Sequence, residues 1–90
     1  MKKTVLITGA SRGIGLACAQ AFAEKGCDLI LTCIHSGELL KHQALEYEKK
    51  YQISCRTYIG DIGDYHFVEN MFSDIHELDV LINNAGISYV

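Results

Sequence analysis

The sequence predicts an α/β fold, a doubly wound parallel sheet in the strand order 3-2-1-4. Three observations carry that prediction. Four short strand-like runs alternate with longer stretches of helical period, giving β-α-β-α-β-α-β. A glycine-rich turn, Thr8-Gly9-Ala10-Ser11-Arg12-Gly13-Ile14-Gly15, joins the first run to the first helix. The third run alternates apolar and polar residues as an edge strand can, whereas runs 1, 2 and 4 are continuously apolar, as strands covered on both faces must be.

The elements follow in order. Thr4-Val5-Leu6-Ile7-Thr8 is β-branched, too short for a helix, and ended by Gly9. Ile14, Ala17, Cys18, Ala21 and Phe22 then recur at i, i+3, i+4, i+7 and i+8, which predicts an amphipathic first helix buried along that stripe. Gly26 after Lys25 is its stop signal. Leu29-Ile30-Leu31-Thr32-Cys33 is the second strand. Leu40, Ala44, Tyr47 and Tyr51 mark the inner face of a second helix whose outer face is rich in Glu and Lys. From Ile53 to Ile59, Ile53, Cys55, Thr57 and Ile59 share one strand face, and Ser54, Arg56 and Tyr58 the other. Phe67, Val68, Met71, Phe72 and Ile75 give the third helical stripe, with Asp64 as its N-cap. Val80-Leu81-Ile82 is the last strand and runs into Asn83-Asn84-Ala85-Gly86.

The order 3-2-1-4 leaves strand 4 at an edge, yet Val80-Leu81-Ile82 has none of the charge, proline or alternation that protects one. No helix follows to cover it. Residues 1–90 are therefore expected to be a single truncated domain, the first half of a larger one.

Composition narrows the function classes. Hydrophobic residues at 49% and charged residues at 21% fit a globular chain and exclude intrinsic disorder. The net charge is −3, with no basic block beyond Lys2-Lys3 and Lys49-Lys50, so nucleic-acid partners are not expected. No apolar run approaches the ~20 residues of a membrane span. Met1-Lys2-Lys3 opens like a secretion signal, but the apolar stretch breaks at Thr8-Gly9, short of the roughly 7–15 residues required. A cytoplasmic protein without membrane contact is expected. Cys18, Cys27, Cys33 and Cys55 contain no C-x-x-C pair, which favours reduced, buried thiols over a metal or disulfide site. His35, His42, His66 and His76 are scattered among polar neighbours and read as surface residues.

The glycine-rich turn carries the chemistry. Gly9 lets the chain turn off strand 1, Gly13 leaves room for a phosphate or ribose, and Gly15 permits close packing. The helix beginning there offers unpaired N–H groups and a positive partial charge to an anion. The pattern is G-x-x-x-G-x-G; no Gly-Lys-Ser/Thr follows, so a nucleoside-triphosphate hydrolase lacks its lysine and magnesium ligand.

That turn, together with Leu81-Ile82-Asn83-Asn84-Ala85-Gly86, resembles the N-terminal half of the short-chain dehydrogenase/reductase family. Within it the motifs are most similar to the 3-oxoacyl-acyl-carrier-protein reductase branch. The resemblance implies a Rossmann-like fold and a dinucleotide cofactor. Gly9, Ser11, Arg12, Gly13, Ile14 and Gly15 match the pyrophosphate and adenosine-ribose loop. Asp61 matches an aspartate on the adenine amino group, and Ile62 a residue near the adenine ring. Asn84, Ala85 and Gly86 match the segment leading to nicotinamide, and Asn83 a sheet-stabilising asparagine. Asp61 reads equally as the opening of a turn in Gly60-Asp61-Ile62-Gly63-Asp64, and Asn83–Gly86 as an ordinary turn after a strand.

The end of strand 2 bears on cofactor choice. An NAD site places a carboxylate there to accept from the ribose hydroxyls. Here the stretch is Thr32-Cys33-Ile34-His35-Ser36, with no acid before Glu38. Ile34 joins the candidate cofactor contacts, His35 and Ser36 are hydrogen-bond donors, and Arg12 supplies positive charge, so NADP(H) is favoured over NAD(H). The resemblance further implies interconversion of a carbonyl and a hydroxyl, with a 3-oxoacyl thioester or another small molecule as substrate, and homo-oligomers in full-length relatives. The family's catalytic serine and Tyr-x-x-x-Lys pair have no counterpart here; Tyr47 is followed four on by Tyr51. No catalytic residue is assigned, and the 90 residues alone are expected to be inactive. The rival expectation is a non-catalytic nucleotide-binding or interaction protein whose strand 4 edge pairs with another chain.

Overall fold

A computed structural model describes residues 2–84. Its elements are β1 (Thr4–Thr8), α1 (Gly13–Glu24), β2 (Asp28–Cys33), α2 (Gly37–Tyr51), β3 (Cys55–Ile59), α3 (Tyr65–Ser73) and β4 (Val80–Asn83). The four strands form one parallel sheet in the order β3-β2-β1-β4, as predicted. Val5 pairs with Leu29 on one side and with Val80 on the other. Cys33 stands opposite Ile59, and Thr8 opposite Asn83, so the strands end together along one side of the sheet.

One face of the sheet packs on α1 and α2 through Val5, Ile7, Leu29, Leu31, Cys33, Ala19, Ala23, Leu40, Ala44 and Tyr47. The opposite face carries Leu6 and Ile30 against Met71 of α3. Alternation along β1 and β2 thus divides an unbroken apolar run between two cores. The predicted signals at element ends are realised. Gly26, at φ +81°, follows the Lys25 C-cap; its N–H donates to Ala23 O and that of Cys27 to Phe22 O, at 2.9 and 3.1 Å. That pair of bonds is the Schellman arrangement. The Asp64 carboxylate accepts from His66 N at 3.0 Å and caps α3.

Two packing expectations are corrected, for α1 and β4. In α1 the buried positions are Gly15, Ala19 and Ala23, not the expected stripe; Cys18 and Phe22 flank them, while Ile14, Ala17 and Ala21 face outward, Ile14 at 61% exposure. Small residues at i, i+4 and i+8 let the helix axis approach the sheet closely, and that contact sets the helix rotation in place of the bulkier stripe. β4 is not covered on both faces: Val80 and Ile82 are half-buried and Leu81 is 54% exposed, while its outer edge, as the strand order predicts, pairs with no strand among the described residues. In β3, Ile59 is exposed at the end of its apolar face and packs over Gly37 at the start of α2.

No helix among the described residues is long and apolar enough to cross a membrane. The four histidines are exposed. The four cysteines are free, Cys33 and Cys55 buried and Cys18 and Cys27 half-buried. Burial, with the Glu48 carboxylate nearby, pushes the Cys55 thiol up to about 12. Burial also raises Cys33, against an opposing hydrogen bond from Ser11. Because the thiolate is the nucleophile, iodoacetamide at pH 8 should label Cys18 and Cys27 well before Cys33 and Cys55 in the native chain. Peptide mass spectrometry reads this directly, and equal labelling of all four would contradict the burial. The same shift makes folding weaken above pH 9, where an unfolded Cys55 ionises and the folded one keeps its proton.

Candidate functional site

Each strand hands over, at its carboxyl end, to a segment that lines one cavity of about 320 Å³. Gly9, Ser11 and Arg12 follow β1; Ile34 and His35 follow β2; Gly60 and Ile62 follow β3; Asn84 follows β4. Thr32 and Cys33, at the end of β2, complete the wall. In an open parallel sheet this is the crevice where ligands bind, since β1 sits where the strand order reverses.

The loop after β1 is shaped by two left-handed glycines, Gly9 at φ +64° and Gly13 at φ +60°. A side chain at either would be strained. Ala10 N donates to Thr32 O at 2.9 Å, which ties the loop to β2. Arg12 is extended at the N-cap of α1 and makes no side-chain cap bond, so its guanidinium has no part in closing the helix. A Cβ built on Gly13 meets nothing within 4 Å; one on Gly15 would collide with the Gly9 carbonyl oxygen and stand 2.9 Å from Asn84 Nδ2. Gly13 therefore leaves the helix N-terminus open to an anion, while Gly15 lets the helix pack onto the loop itself.

β4 is locked to β1 by side chains at this same end. The Thr8 hydroxyl donates to Asn83 Oδ1 at 3.0 Å, and Asn84 Nδ2 donates to the Gly9 carbonyl at 3.2 Å. Asn84 thus both braces the loop and lines the cavity. After β3, Asp61 Oδ1 accepts from Gly63 N at 2.8 Å, closing a turn. The Asp61 side chain is exposed and outside the cavity lining, whereas Ile62 lies within it.

Of the candidates named from sequence, Gly9, Ser11, Arg12, Ile34, Ile62 and Asn84 converge on the cavity. Gly13, Ile14 and Gly15 form the opening turn of α1 beside it. Ala85 and Gly86 lie outside the described residues. Thr32, Cys33 and Gly60 were not among those candidates; their signal was position alone, at the ends of β2 and β3.

Residues 3–90 match the family described as short chain dehydrogenase. The chain belongs to that family. It is 37% identical over 90 residues to an NADP-dependent mannitol dehydrogenase of Hypocrea jecorina, covering 93% of this chain and 34% of that one. It is 36% identical over 90 residues to a 3-oxoacyl-[acyl-carrier-protein] reductase of Aquifex aeolicus, covering 96% of this chain and 36% of that one. In three dimensions it is similar to L-sorbose reductase from Gluconobacter frateurii, solved with NADPH and L-sorbose. The TM-score is 0.82 at 30% identity, over 98% of this chain and 35% of that one. The short-chain dehydrogenase segment described here thus spans about a third of the length of these relatives.

Proposed function

We propose that these residues form the NADP(H)-binding part of a short-chain oxidoreductase that interconverts a carbonyl and a hydroxyl. The observation that carries the reading is the make-up of the cavity beside β2. Thr32, Cys33, Ile34 and His35 line it together with Arg12, and among the described residues that line it there is no carboxylate. A ribose 2′-phosphate meets no repulsion there and finds a guanidinium suited to it. The NADP-dependent mannitol dehydrogenase and the NADPH-bound sorbose reductase support the same choice.

The residues present fit the cofactor. The open N-terminus of α1, with Gly13 free of neighbours, suits the pyrophosphate; Gly60 and Ile62 suit the adenine end, and Asn84 the approach to nicotinamide. When bound, the cofactor supplies a hydride donor or acceptor at its nicotinamide ring. This chain's own groups bind and orient it. The proton moved at the substrate oxygen requires a general acid–base group, and the family's Tyr-x-x-x-Lys pair has no counterpart among residues 1–90. For the whole protein the reading is a 3-oxoacyl thioester substrate, supported by the Aquifex relative, with mannitol and L-sorbose as the alternatives that the other two relatives name. The free cysteines support a reducing, cytoplasmic setting.

Titrating the chain with NADPH and with NADH, following nicotinamide fluorescence, tests the reading. NADPH should bind more tightly by about tenfold or more, the worth of one charge-assisted contact. Equal affinities would sink the NADP assignment, and binding of neither would sink the site.

A further inference from the structure

Gly60 is clamped from two sides. Its N–H donates to the Cys33 carbonyl at 2.9 Å, seating the turn after β3 against the end of β2. Its other side is closed by the ring of Phe67, since a Cβ on Gly60 would fall 2.5 Å from Cε1 and 2.8 Å from Cγ of that ring. Only a hydrogen fits between them. Phe67 is held in the first turn of α3, which Asp64 caps, and Asp64 N in turn donates to Asp61 O at 2.9 Å. Phe67 is half-buried and lies outside the cavity lining, yet Gly60 and Ile62, on the turn it backs, lie within it. The third-helix stripe that includes Phe67 reads as core packing, but its ring is committed to this turn.

We propose that Phe67 is a positioning residue for the adenine end of the cavity, acting through Gly60: its ring holds the Gly60–Ile62 wall against β2. The inference rests on the dinucleotide reading of the cavity. It assigns to Phe67 a part of binding shared by NADPH and NADH, in contrast to the part assigned to Arg12.

The test is a double-substitution cycle on the 90-residue chain, with NADPH, NADH and reduced nicotinamide mononucleotide, which lacks adenine, as probes. Phe67→Ala should weaken NADPH and NADH alike, by about tenfold, because a displaced supporting group loosens the contact it supports. The NADPH to NADH ratio and the weak binding of the mononucleotide should not move, and Phe67→Leu should restore most of the loss. Gly60→Ala should weaken both dinucleotides similarly, while Gly60→Ala with Phe67→Ala should weaken them by less than the two single losses combined, the new methyl occupying space the ring vacated. Native affinity in a folded Phe67→Ala chain, additive losses, or a loss confined to NADPH would each overturn the proposal. Should Phe67→Ala lose its circular dichroism signal, Gly60→Ala decides alone, and unchanged affinity there overturns it. An unsubstituted chain that binds neither dinucleotide defeats the reading of the cavity itself, a result distinct from all of these.

Discussion

Gly15→Ala is expected to cost the fold about 3 kcal/mol and to abolish dinucleotide binding, because overpacking against backbone leaves nothing flexible to yield. The added Cβ would collide with the Gly9 carbonyl oxygen, and the Asn84 amide, which donates to that same carbonyl, would stand 2.9 Å away. Relief requires moving the loop after β1, the start of α1 or Asn84 after β4; the loop and Asn84 line the cavity and the start of α1 lies beside it. Gly13→Ala is the control. Its Cβ meets nothing within 4 Å, so only the left-handed backbone at φ +60° resists, at about 1 kcal/mol. Urea midpoints for the two variants should therefore separate clearly. A Gly15→Ala chain unfolding at the native midpoint would show that helix and loop are not packed as described.

Arg12→Ala should leave the fold intact and remove most of the preference for NADPH. Arg12 is exposed, and its side chain makes no cap bond at the head of α1, so truncation takes no support from the helix. A charge-assisted hydrogen bond to a phosphate is worth about 1.5–3 kcal/mol, so NADPH affinity should fall by roughly 10- to 100-fold while NADH affinity stays nearly constant. Added salt should shrink the same preference in the unsubstituted chain, since exposed charges are screened. Arg12→Lys should recover only part of it, lacking the planar fork. Parallel losses for both dinucleotides would remove Arg12 from phosphate recognition.

Much of this was legible in the residues because it depends on local chemistry. Strand lengths and β-branched runs mark β1 and β2; Gly26 and Asp64 end and begin helices through bonds made within a few residues. Four strands alternating with three helices leave few arrangements once crossovers are right-handed, and 3-2-1-4 is one of them. The first helix shows where such reasoning stops. Ile14, Ala17 and Ala21 have a helical period, but so do Gly15, Ala19 and Ala23 at i, i+4 and i+8, and only the latter set is buried. Periodicity establishes that a helix exists; shape complementarity against the sheet chooses its rotation.

The site divides in the same way. Sequence alone determined the strand–turn–helix frame, the glycine spacing, Arg12 beside it, and the lack of an acid from Thr32 to Ser36, because each is a property of neighbours along the chain. Only the tertiary structure decided that Asn84 holds the Gly9 carbonyl and that Phe67 closes on Gly60, whereas the turn of the Asp61 carboxylate onto Gly63 is local and is one of the two readings open in the sequence. Residues 9 and 84, or 33 and 60, come together because parallel pairing brings distant strand ends to one side of the sheet. Which side chains then share that space depends on register and packing, and no local pattern of residues carries either.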